Sequence, residues 1–170
     1  MKYLLLVLIA LFFVSCSSAK YSVTKEPEGK SIIKGVLSWE DWQEEAGWSS
    51  YASVGYTPNK SITKDIAEYV ISKNLSFVIF AGSWCGDSET ELPKIYKLLT
   101  LAGVFNDRIE LWGVDREKLE PSGNAEFFKI EKVPTVIVMT GEKEIGRVVE
   151  MPKTSWDSDI MEIIRNYVFK

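Results

Sequence analysis

Phe77-Val-Ile-Phe-Ala-Gly-Ser-Trp84-Cys85-Gly86-Asp87-Ser88 is the stretch whose reading decides the fold. From Phe77 to Ala81 the chain is apolar and rich in β-branched and aromatic residues, which reads as a buried strand. Gly82-Ser83 breaks the run. Beyond it, Leu92, Ile95, Leu98, Leu99 and Ala102 recur at helical spacing. Cys85 therefore falls where a strand hands over to a helix, at the helix cap or in its first turn. A helix N-terminus presents unpaired N–H groups and a partial positive charge, both of which favour an anion. The thiolate is the nucleophilic form of cysteine, so this placement favours reactivity, and the Asp87 carboxylate works against it. Ser88 comes one turn later, within reach to donate a hydroxyl hydrogen bond to the sulfur.

Moving outward, Ile109 to Val114 reads as the next strand and ends in Asp115-Arg116, a solvated loop end. Glu120 to Asn124 is loop, Ala125 to Ile130 a short helix, and Val133-Pro134 opens a further strand. Thr135 to Thr140 and Ile145 to Met151 flank Gly141 as a hairpin. Thr154 or Ser155 then caps a last helix with Trp156, Ile160, Ile163, Ile164 and Tyr167 on one side. Before the cysteine unit, Asn59 or Ser61 caps a helix bearing Ile62, Ile66, Tyr69 and Val70. Ser38 with Asp41 opens another, expected to run to about Ser50. Trp39, Trp42, Trp48, Tyr51 and Tyr56 form an aromatic cluster, read as a satellite core over the sheet edge rather than a substrate groove. Ser31 to Leu37 reads as a short first strand. Strand–helix–strand followed by a hairpin and a helix defines an α/β domain with a mixed sheet.

The N-terminus reads as processing signals. Lys2 and the apolar run Tyr3 to Val14 are too short to span a bilayer comfortably and fit a signal peptide. Phe13-Val14-Ser15-Cys16 resembles a bacterial lipobox, in which Cys16 is acylated and becomes the mature N-terminus. Cleavage after Ser17-Ser18-Ala19 is the competing reading. The resulting layout is residues 1–15 as lipoprotein signal peptide, 16–30 as lipidated N-terminus and flexible tether, and 31–170 as one domain.

Composition removes several classes of function. With 170 residues, 46% of them hydrophobic, the chain fits one domain with a proper core. A net charge of −4 and no block of Lys or Arg argue against a nucleic-acid partner. The chain has no histidine, which excludes a Cys–His hydrolase, a Ser–His–Asp triad and a His-ligated zinc site. Its two cysteines cannot build a Cys-rich metal site, and no metal or other cofactor is expected.

Trp84-Cys85-Gly86-Asp87-Ser88 resembles the Trp-Cys-Gly-Pro-Cys site of thioredoxins, with the proline and the second cysteine replaced. Pro93 stands where that family carries a kinking proline, and Val133-Pro134-Thr135 resembles its cis-proline loop. The chain is similar to lipid-anchored or periplasmic members of the thioredoxin-like superfamily related to the cytochrome-maturation reductases. The resemblance, over about residues 60 to 168, implies a thioredoxin-like fold: a mixed central sheet with helices on both faces. It implies Cys85 and Ser88 as the catalytic positions. Trp84, Gly86, Asp87, Val133 and Pro134 would bind substrate, and the Val133–Pro134 bond would be cis. The implied partners are disulfide- or cysteine-containing envelope proteins or a small thiol, with the membrane reached through the lipid on Cys16.

Two departures qualify what the family implies. Ser88 replaces the resolving thiol, so a dithiol cycle is not available to this chain alone. Ile79 replaces the buried acid that thioredoxins keep six residues before the nucleophile. Three readings follow: a monothiol exchange protein of reductase or isomerase type, a non-catalytic polypeptide-binding module, and a cluster-binding site like that of monothiol glutaredoxins. The thioredoxin-like surroundings of Cys85 weigh against the third.

Overall fold

The computed structural model describes residues 20–27, 29–48 and 55–170. In chain order the elements are β1 (Tyr21–Lys25), β2 (Ser31–Leu37), α1 (Trp39–Ala46), α2 (Lys60–Ser72), β3 (Leu75–Ala81), α3 (Gly86–Leu101), β4 (Ile109–Gly113), α4 (Asn124–Phe127), β5 (Thr135–Thr140), β6 (Lys143–Val149) and α5 (Trp156–Val168). The six strands form one sheet in the order β1-β2-β4-β3-β5-β6. Among the described residues only β3 and β4 pair in parallel, with Phe77 beside Ile109 and Ala81 beside Gly113; the other pairs are antiparallel. The architecture is the expected mixed α/β fold with helices on both faces.

The central strands are buried because both of their faces are covered. On one face, Phe77, Ile79, Val136 and Val138 pack against Trp42 of α1, Ile66 and Val70 of α2, Leu92 to Leu99 of α3, and Trp156, Ile160 and Ile164 of α5. On the other, Val78, Phe80, Trp112, Ile137 and Met139 pack against Ala125 of α4, Ile130 and Val133. Burying each large apolar side chain is worth about 1.5–3 kcal/mol before entropy is charged against it.

Local rules set the element ends. Ser38, Asn59 and Ser155 cap α1, α2 and α5 by accepting backbone N–H bonds. The helix expected to reach Ser50 stops at Ala46, because Gly47 takes the left-handed conformation that ends helices. The aromatic cluster proves to be part of the principal core. Trp42 and Trp48 meet edge to face at 5.6 Å, and Trp39 stacks on Tyr96 of α3 at 4.5 Å. Tyr51 lies outside the described residues.

One expectation is overturned at the N-terminus. The span 16–30 read as a tether, yet Tyr21–Lys25 is a strand paired with β2, with Tyr21 beside Gly35 and Lys25 beside Ser31. The sheet therefore begins ahead of residue 31. Two glycines permit this close stacking. A Cβ on Gly35 would lie 2.4 Å from the Lys20 carbonyl oxygen, and one on Gly113 would lie 2.5 Å from that of Ile33. Residues 1–15 and Cys16 lie outside the described residues. Among the described residues, no helix is long and apolar enough to cross a membrane.

Candidate functional site

Cys85 is the N-cap of α3, at the C-terminal end of β3. Cys85 is half-buried, and its thiol donates to the Val133 carbonyl at 3.5 Å. The Val133–Pro134 bond is cis, as expected, and both residues are buried. Residues 48 positions apart in sequence thus meet at one point. Gly86 and Asp87 follow Cys85 on the exposed face of the first helical turn. Pro93 lies inside α3.

Ser88 is placed differently from expectation. It is fully buried, and its hydroxyl oxygen accepts the backbone N–H of Gly82 at 3.1 Å. Its recorded role is to close the loop between β3 and α3, rather than to bond the sulfur. Ile79 is buried in the apolar face of β3. A carboxylate does lie inside the fold nearby in sequence: Glu91 of α3 accepts the Trp156 indole N–H at 2.8 Å and pairs with Lys94 at 2.7 Å. It ties α3 to α5.

The residues before Cys85 are held from several directions. Trp84 donates its indole N–H to the Val114 carbonyl at 2.9 Å, which turns the ring back onto the end of β4. The ring then lies over Gly82, where a Cβ would come within 2.7 Å of it. The Ser83 hydroxyl donates to the Ser31 carbonyl at 2.6 Å and accepts the Ile33 N–H at 3.0 Å, joining the loop to β2. Lys30, in the turn between β1 and β2, donates to the Trp84 carbonyl at 3.3 Å.

Asp115-Arg116, expected to be a solvated loop end, belongs to this assembly. Asp115 accepts the N–H groups of Glu117 and Leu119 and pairs with Lys34 at 3.2 Å. The Arg116 guanidinium lies 5.0 Å from the centre of the Trp84 ring, and the Lys118 ammonium 5.7 Å. Arg116 also makes a bidentate contact with Glu26, at 2.8 and 2.7 Å. No local signal in the sequence joins Glu26, Trp84 and Arg116; only the pairing of β1 with the sheet does. Among the described residues, no three Cys, Asp or Glu side chains converge as a metal site would require.

A family model described as Thioredoxin matches residues 43–163. Thioredoxin H2-2 of Oryza sativa subsp. japonica is 30% identical over 125 residues, spanning 74% of this chain and 75% of that protein. Thioredoxin H2-1 of the same species is 27% identical over 135 residues, spanning 79% of each. A crystal structure of a protein of unknown function from Pseudomonas aeruginosa covers 77% of this chain and 99% of its own, with 15% identity and a TM-score of 0.42. The chain belongs to the thioredoxin family, and with that membership comes a general thiol–disulfide redox role.

Proposed function

We propose that the protein is a single-cysteine thiol–disulfide exchange protein of the bacterial cell envelope, anchored to a membrane through acylated Cys16. The observation that carries the exchange reading is the position of the Cys85 sulfur. The residue is half-buried at the head of α3, with the sulfur 3.5 Å from the Val133 carbonyl, in the residue before cis Pro134. Cys85 is the residue that opens α3, directly after the loop from β3. In the proposed reaction the Cys85 thiolate attacks one sulfur of a substrate disulfide. The Cys85–substrate disulfide forms, the substrate S–S bond breaks, and the departing sulfur leaves as a thiolate that takes a proton from water.

The second half of the cycle falls to another molecule. Ser88 has no sulfur, so a thiolate from a small thiol or from the substrate itself attacks the mixed disulfide. That step returns Cys85 as thiolate and leaves a new disulfide on the partner. Electrons balance, because each step exchanges one disulfide for another. Trp84, Gly86 and Asp87 on one side and Val133 and Pro134 on the other would flank an extended substrate segment. The partners are envelope proteins bearing cysteines or disulfides, or a small thiol.

Trapping tests the reading. Incubated with disulfide-bearing envelope proteins and quenched with acid, the wild-type chain should yield mixed disulfides through Cys85, and Cys85→Ala should yield none. Ser88→Cys should form an intramolecular disulfide and gain turnover with dithiothreitol and a protein disulfide. A wild-type protein that traps nothing would reduce the site to a non-catalytic binding module. Mass spectrometry of the mature N-terminus tests the anchor: a diacylated or triacylated Cys16 is expected, and an unmodified chain beginning at Lys20 would end that part of the proposal.

A further inference from the structure

We propose that Glu26 is a positioning residue for the reactive loop: by gripping Arg116 it holds the guanidinium on the Trp84 indole and so fixes the peptide that delivers Cys85. The effect on chemistry rests on the thiol-exchange reading, whereas the grip itself does not.

The contact has the geometry of an orienting device. The Arg116 Nε and one terminal nitrogen each reach a separate oxygen of Glu26, at 2.8 and 2.7 Å. A two-point contact of a planar fork with a carboxylate fixes the plane of the guanidinium as well as its position. The guanidinium so fixed lies over the ring of the residue next to Cys85. A single ammonium, such as Lys118 over the same ring, supplies charge without setting a plane.

The indole lies against Gly82 with its N–H on the Val114 carbonyl, turned toward the end of β4. Arg116 lies over this ring and, through Glu26, is tied to the chain that follows β1. Lys30 on the Trp84 carbonyl and Ser31 and Ile33 on Ser83 come from the same β1–β2 hairpin. The hairpin therefore contacts both residues that precede the cysteine.

β1 packs at the margin of the core through half-buried Tyr21 and Val23. It ends one residue before Glu26, and so it also carries that carboxylate to the site.

The experiment uses the full chain in detergent with Cys16→Ser, which leaves Cys85 as its one thiol. Two readouts are taken: the second-order rate of Cys85 with 4,4′-dithiodipyridine, and hydrogen exchange of the Trp84 indole N–H, assigned by comparison with Trp84→Phe. Glu26→Gln and Arg116→Gln should each speed indole exchange and slow Cys85 by about fivefold, the scale of a well-aligned exposed ion pair and cation–π contact. The double variant should match Arg116→Gln, because Glu26 acts on the ring only through Arg116. Lys34→Gln, which breaks the ion pair with Asp115 on the same loop, should change neither readout.

Unchanged indole exchange in Glu26→Gln, or effects of the two variants that simply add, would overturn the proposal. If wild-type Cys85 fails to react with the disulfide, the thiol-exchange reading fails. Indole exchange then decides the positioning role by itself.

Discussion

The peptide leading into Cys85 and the peptide leading away from it are held by different means. On the approach, Gly82 donates to Ser88, Ser83 makes two bonds to β2, and Trp84 is fixed through its indole N–H, its carbonyl, Arg116 over its ring and Gly82 against it. On the departure, Gly86 and Asp87 stand exposed in the first turn of α3, with room for a Cβ on Gly86. The sulfur is thus positioned from behind and approached from in front. Rigid support on one side with open backbone on the other suits a group that must hold its place while an extended partner docks.

The largest break in that contrast should come from Gly82→Ala. The added methyl meets the indole at 2.7 Å, so the ring, or the loop that carries it, must shift and disturb the bond to Val114. Overpacking of this kind costs about 1–3 kcal/mol, read as a lower denaturation midpoint, and the reaction of Cys85 with a disulfide should slow about tenfold. A variant as stable and as fast as wild type would show that the approach peptide is not tightly set.

Trp84→Phe keeps a ring and removes the indole N–H, leaving the Val114 carbonyl without that donor. A loss of about 1 kcal/mol is expected from urea unfolding, with a smaller change in rate than Gly82→Ala. On the open side, Asp87→Asn should change stability by less than about 0.5 kcal/mol. Removing its negative charge should raise the rate of Cys85 by no more than about threefold. A large loss of stability there would erase the distinction between the two sides.

The smallest effect is in pH. The hydrogen bond from Arg116 holds the Glu26 carboxyl below its ordinary range, and partial desolvation offsets this only in part. A carboxyl lowered in the folded state contributes stability above its unfolded value, near pH 4.3, and loses it as pH falls through the lower folded value. The difference in thermal midpoint between wild type and Glu26→Gln should be full at neutral pH and close in strong acid. A difference that persists in acid would assign the effect of Glu26 to packing.

Those parts of the fold with strong periodicity were readable from sequence. The apolar run of β3, the helical repeat of α3 and the β5–β6 hairpin all follow from burial, and burial leaves a pattern. The Val133–Pro134 loop was readable by resemblance. β1 was not, since its apolar alternation is only Tyr21 and Val23, two half-buried residues at the margin of the core, within a polar stretch. The polar stretch around it therefore looked like a tether. Arg116 looked like a loop end for a related reason: its partner Glu26 is 90 residues away. Ser88 was correctly placed one turn after Cys85, but the bond it makes to Gly82 depends on how the loop folds back.

The ordering of the sheet also bears on solubility. Among the described residues β1 and β6 are its outermost strands, and an outermost strand is where a second molecule could add a strand. Both are poorly suited to such growth. β1 has five residues and turns Ser22, Thr24 and Lys25 outward. β6 bears Lys143, Glu144 and Arg147, and its pairing with β5 is interrupted by a bulge at Val138/Met139. Short length, charge and an irregular register each discourage strand addition, so crowded copies of this chain are guarded at both margins against fusing into fibrils.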